Sequence, residues 1–161
     1  MNNLEACANQ LKFGDVHWFQ DQTINLTCII AVHSTRLGPA IGGCRFIEYP
    51  DFECAAMDAM KLAQAMSYKA SIHRLPHGGA KMVVMKKPNM SDHQTIFRRA
   101  GAYVERLQGQ YITAVDSGTG DKAMAAIAMN TRHVLAPQNF DRPCTPALYT
   151  AQGVFKAIEA T

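Results

Sequence analysis

Polar Asp15 and His17 alternate with apolar Val16 and Trp18 in the segment from Asp15 to Phe19, and a continuous apolar run follows from Leu26 to Val32, with the polar stretch DQTIN between them. This pattern predicts two strands joined as a hairpin, the second of them buried. PAIGGCRF (39–46) reads as extended chain containing a glycine pair. Asp51 is then placed to cap a helix in which Phe52, Ala56, Ala59, Ala63 and Met66 recur at helical spacing. In SYKASIHR (67–74) the period changes to two, which predicts a short strand with Tyr68, Ala70 and Ile72 on one side and Lys69, Ser71 and His73 on the other. HGGAKMVVM (77–85) reads as a turn entering an apolar strand. Ser91 with Gln94 forms a capping-box pattern for a helix through Ile96, Phe97, Ala100, Val104 and Leu107, stopped by Gly109.

YITAV (111–115) is a strand ending at Asp116, and Thr119 or Asp121 can start a short helix through Asn130. RHVLA (132–136) reads as a further strand. Thr145 as cap and Pro146 in the first turn open a last helix carrying Leu148, Ala151, Phe155 and Ile158, with no stop signal behind it. Strands and helices alternate after an early hairpin, so the expected class is α/β, with a mixed, partly parallel sheet flanked by helices in three layers.

Composition narrows the function classes. A chain of 161 residues with 48% hydrophobic and 18% charged residues has room for one domain with a real core. Its net charge of +3 is spread without a basic stripe, so neither nucleic acid nor a membrane surface is an expected partner. The apolar runs TCIIAV and MAAIAM are too short to span a membrane, and MNNLEACANQ lacks a secretory pattern, which points to a cytoplasmic protein. Five cysteines without CxxC spacing read as reduced thiols.

Three constellations bear on chemistry. His73 and His77 are four apart, but Pro76 between them spoils a helical pair and no cysteine or HExxH cluster accompanies them, so no metal site is expected. GTGDKA (118–123) matches a dinucleotide fingerprint behind a strand, although Asp116 and Asp121 would repel a pyrophosphate and no acidic residue ends RHVLA to hold a ribose. The third is Lys69, Lys81 and Asp116, each beside a strand end. Lys81 behind its two glycines is either a solvated strand-end lysine or an amine aimed into a cleft. Two amines in a partly dry cleft would lower each other's pKa and yield a base near neutral pH.

PAIGG, AMSYKAS, LPHGGAKMVV and YITAVDSGT, in this order, together with STRLGPAIGG and TPALYTAQGVFKAI, resemble the N-terminal domain of the Glu/Leu/Phe/Val dehydrogenases. The similarity runs from about Val16 to the end. It implies the amino-acid dehydrogenase N-terminal fold, with residues 1–145 as a substrate-binding and oligomerisation domain and 146–161 as the start of a helix leading to a nucleotide-binding domain. Lys69 matches the lysine that grips the substrate α-carboxylate, Lys81 the lysine that activates water, and Asp116 the aspartate that shuttles protons.

Gly42 and Gly43 would let substrate lie close to the backbone, with Met66 nearby, and Thr150 falls at a cofactor contact. Ile41 and Ala114 stand where the resemblance places the substrate side chain. Glutamate-specific relatives carry a lysine at the place of Ile41, so an apolar wall there favours an aliphatic, leucine-like amino acid. The resemblance thus implies NAD-dependent oxidative deamination to a 2-oxo acid and ammonia by a homo-oligomer, with NAD held mainly outside this chain. The chain alone is expected to be inactive, and the rival expectation is a catalytically silent module that keeps the fold for binding or assembly. Val115, Cys44 and the segment QNFDRPCTP depart from the family pattern.

Overall fold

The computed structural model describes residues 3–135 and 146–161. After helix α1 (Asn3–Gln10), strands β1 (Asp15–Asp21) and β2 (Leu26–Ser34) form the expected hairpin, turned by Asp21, whose carboxylate accepts from Thr23 N, and by Asn25 in the left-handed region. Then come β3 (Ala40–Ile47), α2 (Phe52–Ile72), β4 (Gly78–Met85), α3 (His93–Arg106), β5 (Tyr111–Val115), α4 (Asp121–Ala128) and α5 (Pro146–Glu159). The sheet order is β1-β2-β4-β3-β5. The first two pairings are antiparallel and the last two parallel, so the sheet is mixed, as the alternation of elements required.

Two apolar layers hold it. On one face Ile29, Ala31, Val83 and Met85 meet the alanines of α2 (Ala55, Ala56, Ala59, Ala63), with α1 behind them. On the other, Ile30, Cys44, Phe46, Met82 and Val84 meet Ile96, Phe97 and Val104 of α3 and Met124 and Ile127 of α4. Small residues let α2 lie close to the sheet. A β-carbon on Gly79 would stand 2.1 Å from Ser67 N and 2.4 Å from the Ala63 carbonyl, so strand and helix backbones touch there.

Four local expectations change. Residues 67–72 continue α2 instead of forming a strand, because an established alanine-rich helix adds one hydrogen bond per residue, and a six-residue alternation offers nothing comparable. The helix stops only where Arg74 turns into the left-handed region, ahead of Pro76. Asp92, not Ser91, caps α3: its carboxylate accepts from Thr95 N at 3.0 Å. The cap of α4 is Gly120, without a side-chain hydrogen bond, and the helix ends at Ala128 rather than Asn130. Among the described residues of the expected strand, 132–135, there is a single parallel bridge, Thr113 to Val134, and Ala136 lies outside the described residues. Thr145 lies outside the described residues.

The contact at Gly79 yields a test. Gly79→Ala should lower stability by about 2–3 kcal/mol, the usual cost of forcing atoms into a packed contact, read as a lower urea midpoint. An unchanged midpoint would contradict this packing.

Candidate active site

Side-chain alternation puts three strands' functional positions on one face. Gly79 of β4 touches α2, so Lys81, two residues on, points to the same side. Arg45 of β3 reaches Asp58 on α2, which places Ile41 and Gly43 on that side too. The pairing of Gly43 with Ala114 adds Ala114 and, beyond the strand, Asp116. Helix α2 packs over β2 and β4, whereas Ile41, Ile112 and Ala114 on β3 and β5 remain half-buried, so the face is open beside the helix.

Lys81 is therefore not a strand-end lysine. It is the fourth residue of a strand buried at all eight positions, and it is only 4% exposed. A buried ammonium needs a counter-charge, and Asp116 Oδ2 lies 2.7 Å from Lys81 Nζ. Lys81 on β4 and Asp116 just past the end of β5 are separated by β3. The register set by Ile41–Gly79 and Cys44–Met82 puts Gly43 level with Lys81, and a β-carbon on Gly43 would stand 2.7 Å from Asp116 Cβ. The glycine thus leaves a gap in β3 through which lysine and aspartate meet. Gly42 serves packing: a β-carbon there would overlap the Ala80 carbonyl, and the buried Tyr111 hydroxyl donates to the Gly42 carbonyl at 2.8 Å.

The turn after β5 fixes the aspartate. Asp116 N donates to Thr119 Oγ1 at 2.9 Å, the Thr119 hydroxyl lies 2.8 Å from the Cys44 carbonyl as its donor, and Gly118 takes a positive φ of 80° against Phe46. GTGDKA is accordingly a turn that aims Asp116. The helix it opens leads to the one bridge at Val134 and not to a full parallel strand, so the βαβ unit a dinucleotide fingerprint needs is incomplete among the described residues.

Arg45 and Asp58 complete the site, and neither was singled out from the sequence. Arg45 Nε donates to Asp116 Oδ2 at 2.9 Å and Arg45 Nη1 to Asp58 Oδ2 at 2.8 Å, while the Tyr49 hydroxyl donates to the same Asp58 oxygen at 2.5 Å. The available signal was period two: Arg45 follows Gly43 onto the same face, and Asp58 interrupts an alanine-rich helix. Burial lowers the affinity of Lys81 for its proton, and Asp116 offsets this only in part, so the amine titrates below the ordinary lysine range. Burial raises the Asp116 pKa, but the hydrogen bonds from Lys81 and Arg45 outweigh it and hold the carboxyl below its usual value.

The other expected residues lie around this pair. Lys69 is exposed on α2, without the strand neighbours its sequence suggested. Eleven residues separate it from Asp58, which brings it within about 20° of that residue's stripe on the helix. It therefore sits on the flank of α2 beside the open face. Met66 is half-buried on the same helix, and Thr150 is exposed on α5. No group of three or more potential metal ligands occurs among the described residues.

Comparisons with known proteins identify relatives of this chain. Residues 10–133 match the family model described as Glu/Leu/Phe/Val dehydrogenase, dimerisation domain. The chain is 39% identical over 150 residues to a leucine dehydrogenase of Bacillus cereus, covering 92% of this chain and 41% of that protein. A valine dehydrogenase of Streptomyces virginiae is 38% identical over 144 residues, covering 88% and 40%. The chain thus spans about two-fifths of the length of these relatives. Among solved structures, L-tryptophan dehydrogenase from Nostoc punctiforme superposes with a TM-score of 0.75 at 29% identity, over 81% of this chain and 38% of that one. A hetero-hexameric glutamate dehydrogenase from Thermus thermophilus, at 22% identity and a TM-score of 0.60 over 79% and 35%, shares the fold. With a mixed sheet of this order and a match over most of its length, the chain belongs to the Glu/Leu/Phe/Val dehydrogenase family and carries its dimerisation domain.

Proposed function

We propose that this chain is the substrate-binding part of an NAD-dependent dehydrogenase that converts an aliphatic L-amino acid, leucine or valine, to its 2-oxo acid and ammonia. The observation that carries this reading is the pairing of buried Lys81 with half-buried Asp116 beside the uncovered apolar flank of Ile41 and Ala114. The names and identities of the leucine and valine dehydrogenases support the substrate class. An ionised substrate side chain against Ile41 and Ala114 would be desolvated without a partner there. Residues 1–145 bind substrate, and 146–161 lead into a nucleotide-binding domain.

In this reading Lys69, on the flank of α2, holds the α-carboxylate. Lys81, its proton held loosely because it is buried, becomes the neutral amine that removes a proton from water as the imine is hydrolysed. Asp116 stays ionised beside it and takes or returns the proton carried by the departing nitrogen. The open β3–β5 face fits a cofactor held largely by another part of the protein, with Thr150 as this chain's own contact; NAD, when bound, accepts the hydride from the α-carbon. Because the deprotonated amine is the active form, turnover rises with pH through a limb that lies below the ordinary lysine pKa.

The test uses the longest native product that contains this chain, supplied with L-leucine or L-valine and NAD. Formation of reduced cofactor is expected, and its absence with both substrates would overturn the reading. Lys81→Ala should lower kcat by about 10²- to 10⁴-fold, the usual worth of a general base, and remove the pH limb. Asp116→Asn should give a comparable loss. Lys69→Ala should chiefly raise KM. Near-normal turnover in Lys81→Ala would contradict its assignment.

We further propose that a second copy pairs through β1. This strand is a sheet edge with its outer backbone groups unpaired in the sheet, and Val16 and Trp18 on it are 43% and 60% exposed. Light scattering at micromolar concentration should give at least a dimer, and the mass of one chain would refute this pairing.

A further inference from the structure

We propose that Arg45 is a positioning residue: by gripping one oxygen of Asp116 while its other arm is tied to Asp58, it keeps Asp116 aimed at Lys81 and tunes proton exchange between them. This rests on the reading of Lys81 as the base. Lys81 and Arg45 both meet the same oxygen, Oδ2, at 2.7 and 2.9 Å, so that Oδ1 is outside both contacts. Asp58 Oδ2 then accepts from Arg45 Nη1 at 2.8 Å and from the Tyr49 hydroxyl at 2.5 Å. Charges alternate along this chain from β4 through the turn after β5 and β3 to α2: ammonium, carboxylate, guanidinium, carboxylate. A planar guanidinium can bridge two carboxylates at fixed angles, and an ammonium on a flexible stem cannot.

The arrangement gives opposite signs to its two ends. The Arg45 charge disfavours protonated Lys81, and the Asp58 carboxylate favours it. Removing Arg45 also leaves Asp116 to Lys81 alone, which holds the lysine proton more firmly. The Tyr49 phenol, pushed up by burial and by its bond to Asp58, stays neutral, as does the fully buried Cys44 thiol beside the pair, pushed up by burial. Neither competes in the neutral range. Lys81, Asp116, Arg45 and Asp58 are therefore the charges that set the exchange.

The side-chain nitrogen of Lys81, followed by NMR across pH in this chain, reads the effect directly. Arg45→Gln should move the Lys81 titration to higher pH and Asp58→Asn to lower pH, a pair of opposite shifts that a general loss of structure does not produce. In the longest native product the pH limb of kcat should move the same two ways. Arg45→Gln should lower kcat about 10²-fold, as small misplacements do, with KM changed much less. Arg45→Lys should not restore it. Shifts of the same sign, or none, overturn the inference. Should Arg45→Gln not fold, Asp58→Asn alone decides: a downward shift supports the inference, and an unchanged or upward one overturns it. If the opposite shifts appear but no amino acid is oxidised, the dehydrogenase reading fails while the positioning role of Arg45 stands. If oxidation occurs and the limb stays fixed in both variants, only the positioning role fails.

Discussion

A lysine buried in the middle of a central strand is the constraint from which the rest of this structure follows. An ammonium removed from water must meet a carboxylate or lose its proton, and here the carboxylate comes from two strands away. The meeting of Lys81 with Asp116 requires three things of other residues. Gly43 must carry no side chain, because β3 runs between the partners. The turn after β5 must hold Asp116 at the right height, which Thr119 and Gly118 do with two hydrogen bonds and a positive φ. The helix that crosses from β3 to β4 must leave β3 and β5 partly uncovered. The glycine pairs, the aspartate and the open face are thus parts of one electrostatic solution.

The same pair connects stability and chemistry. Asp116 has a folded-state pKa below its unfolded one, so its contribution to stability is present above the ordinary aspartate range and is lost as pH falls through the folded value. The folded pKa of Lys81 is depressed as well, so keeping it charged costs stability at low pH; that cost begins to fall as pH rises through the folded value and is gone above the ordinary lysine range. A residue that burial makes reluctant to hold its proton is costly to keep in a core and useful as a base. Arg45, Asp58 and Tyr49 keep that tension in check by extending the charge alternation into α2.

Much of this was legible in the sequence because it is local. The hairpin, β3, β4, β5 and α3 announce themselves through short apolar runs bounded by turn residues and, in α3, a period of 3.6, and Asp51 caps α2 as its place before Phe52 suggested. The failures are instructive in the same terms. Residues 67–72 carry a strand-like alternation, but they follow fifteen residues of α2, and helix propagation overrides a short local pattern. Among the described residues of RHVLA, 132–135, sheet pairing goes no further than the bridge from Val134 to Thr113. Lys81 and Asp116 could be suspected from motif and resemblance, whereas Arg45 and Asp58 become visible only when β3, α2 and the turn after β5 stand side by side. A network whose members are separated by 13 and 71 positions leaves no local periodicity to read.

Lys81 and Asp116 hold one another in place, and a double-mutant cycle on stability measures that coupling. Chemical unfolding at neutral pH would be compared for the wild type, Lys81→Met, Asp116→Asn and the double variant. Asp116→Asn is expected to cost about 3–5 kcal/mol, because it strands a buried ammonium. The double variant should lose at least about 1 kcal/mol less than the sum of the single losses, the mark of residues in direct contact. Single losses that add to within about 0.5 kcal/mol would contradict it.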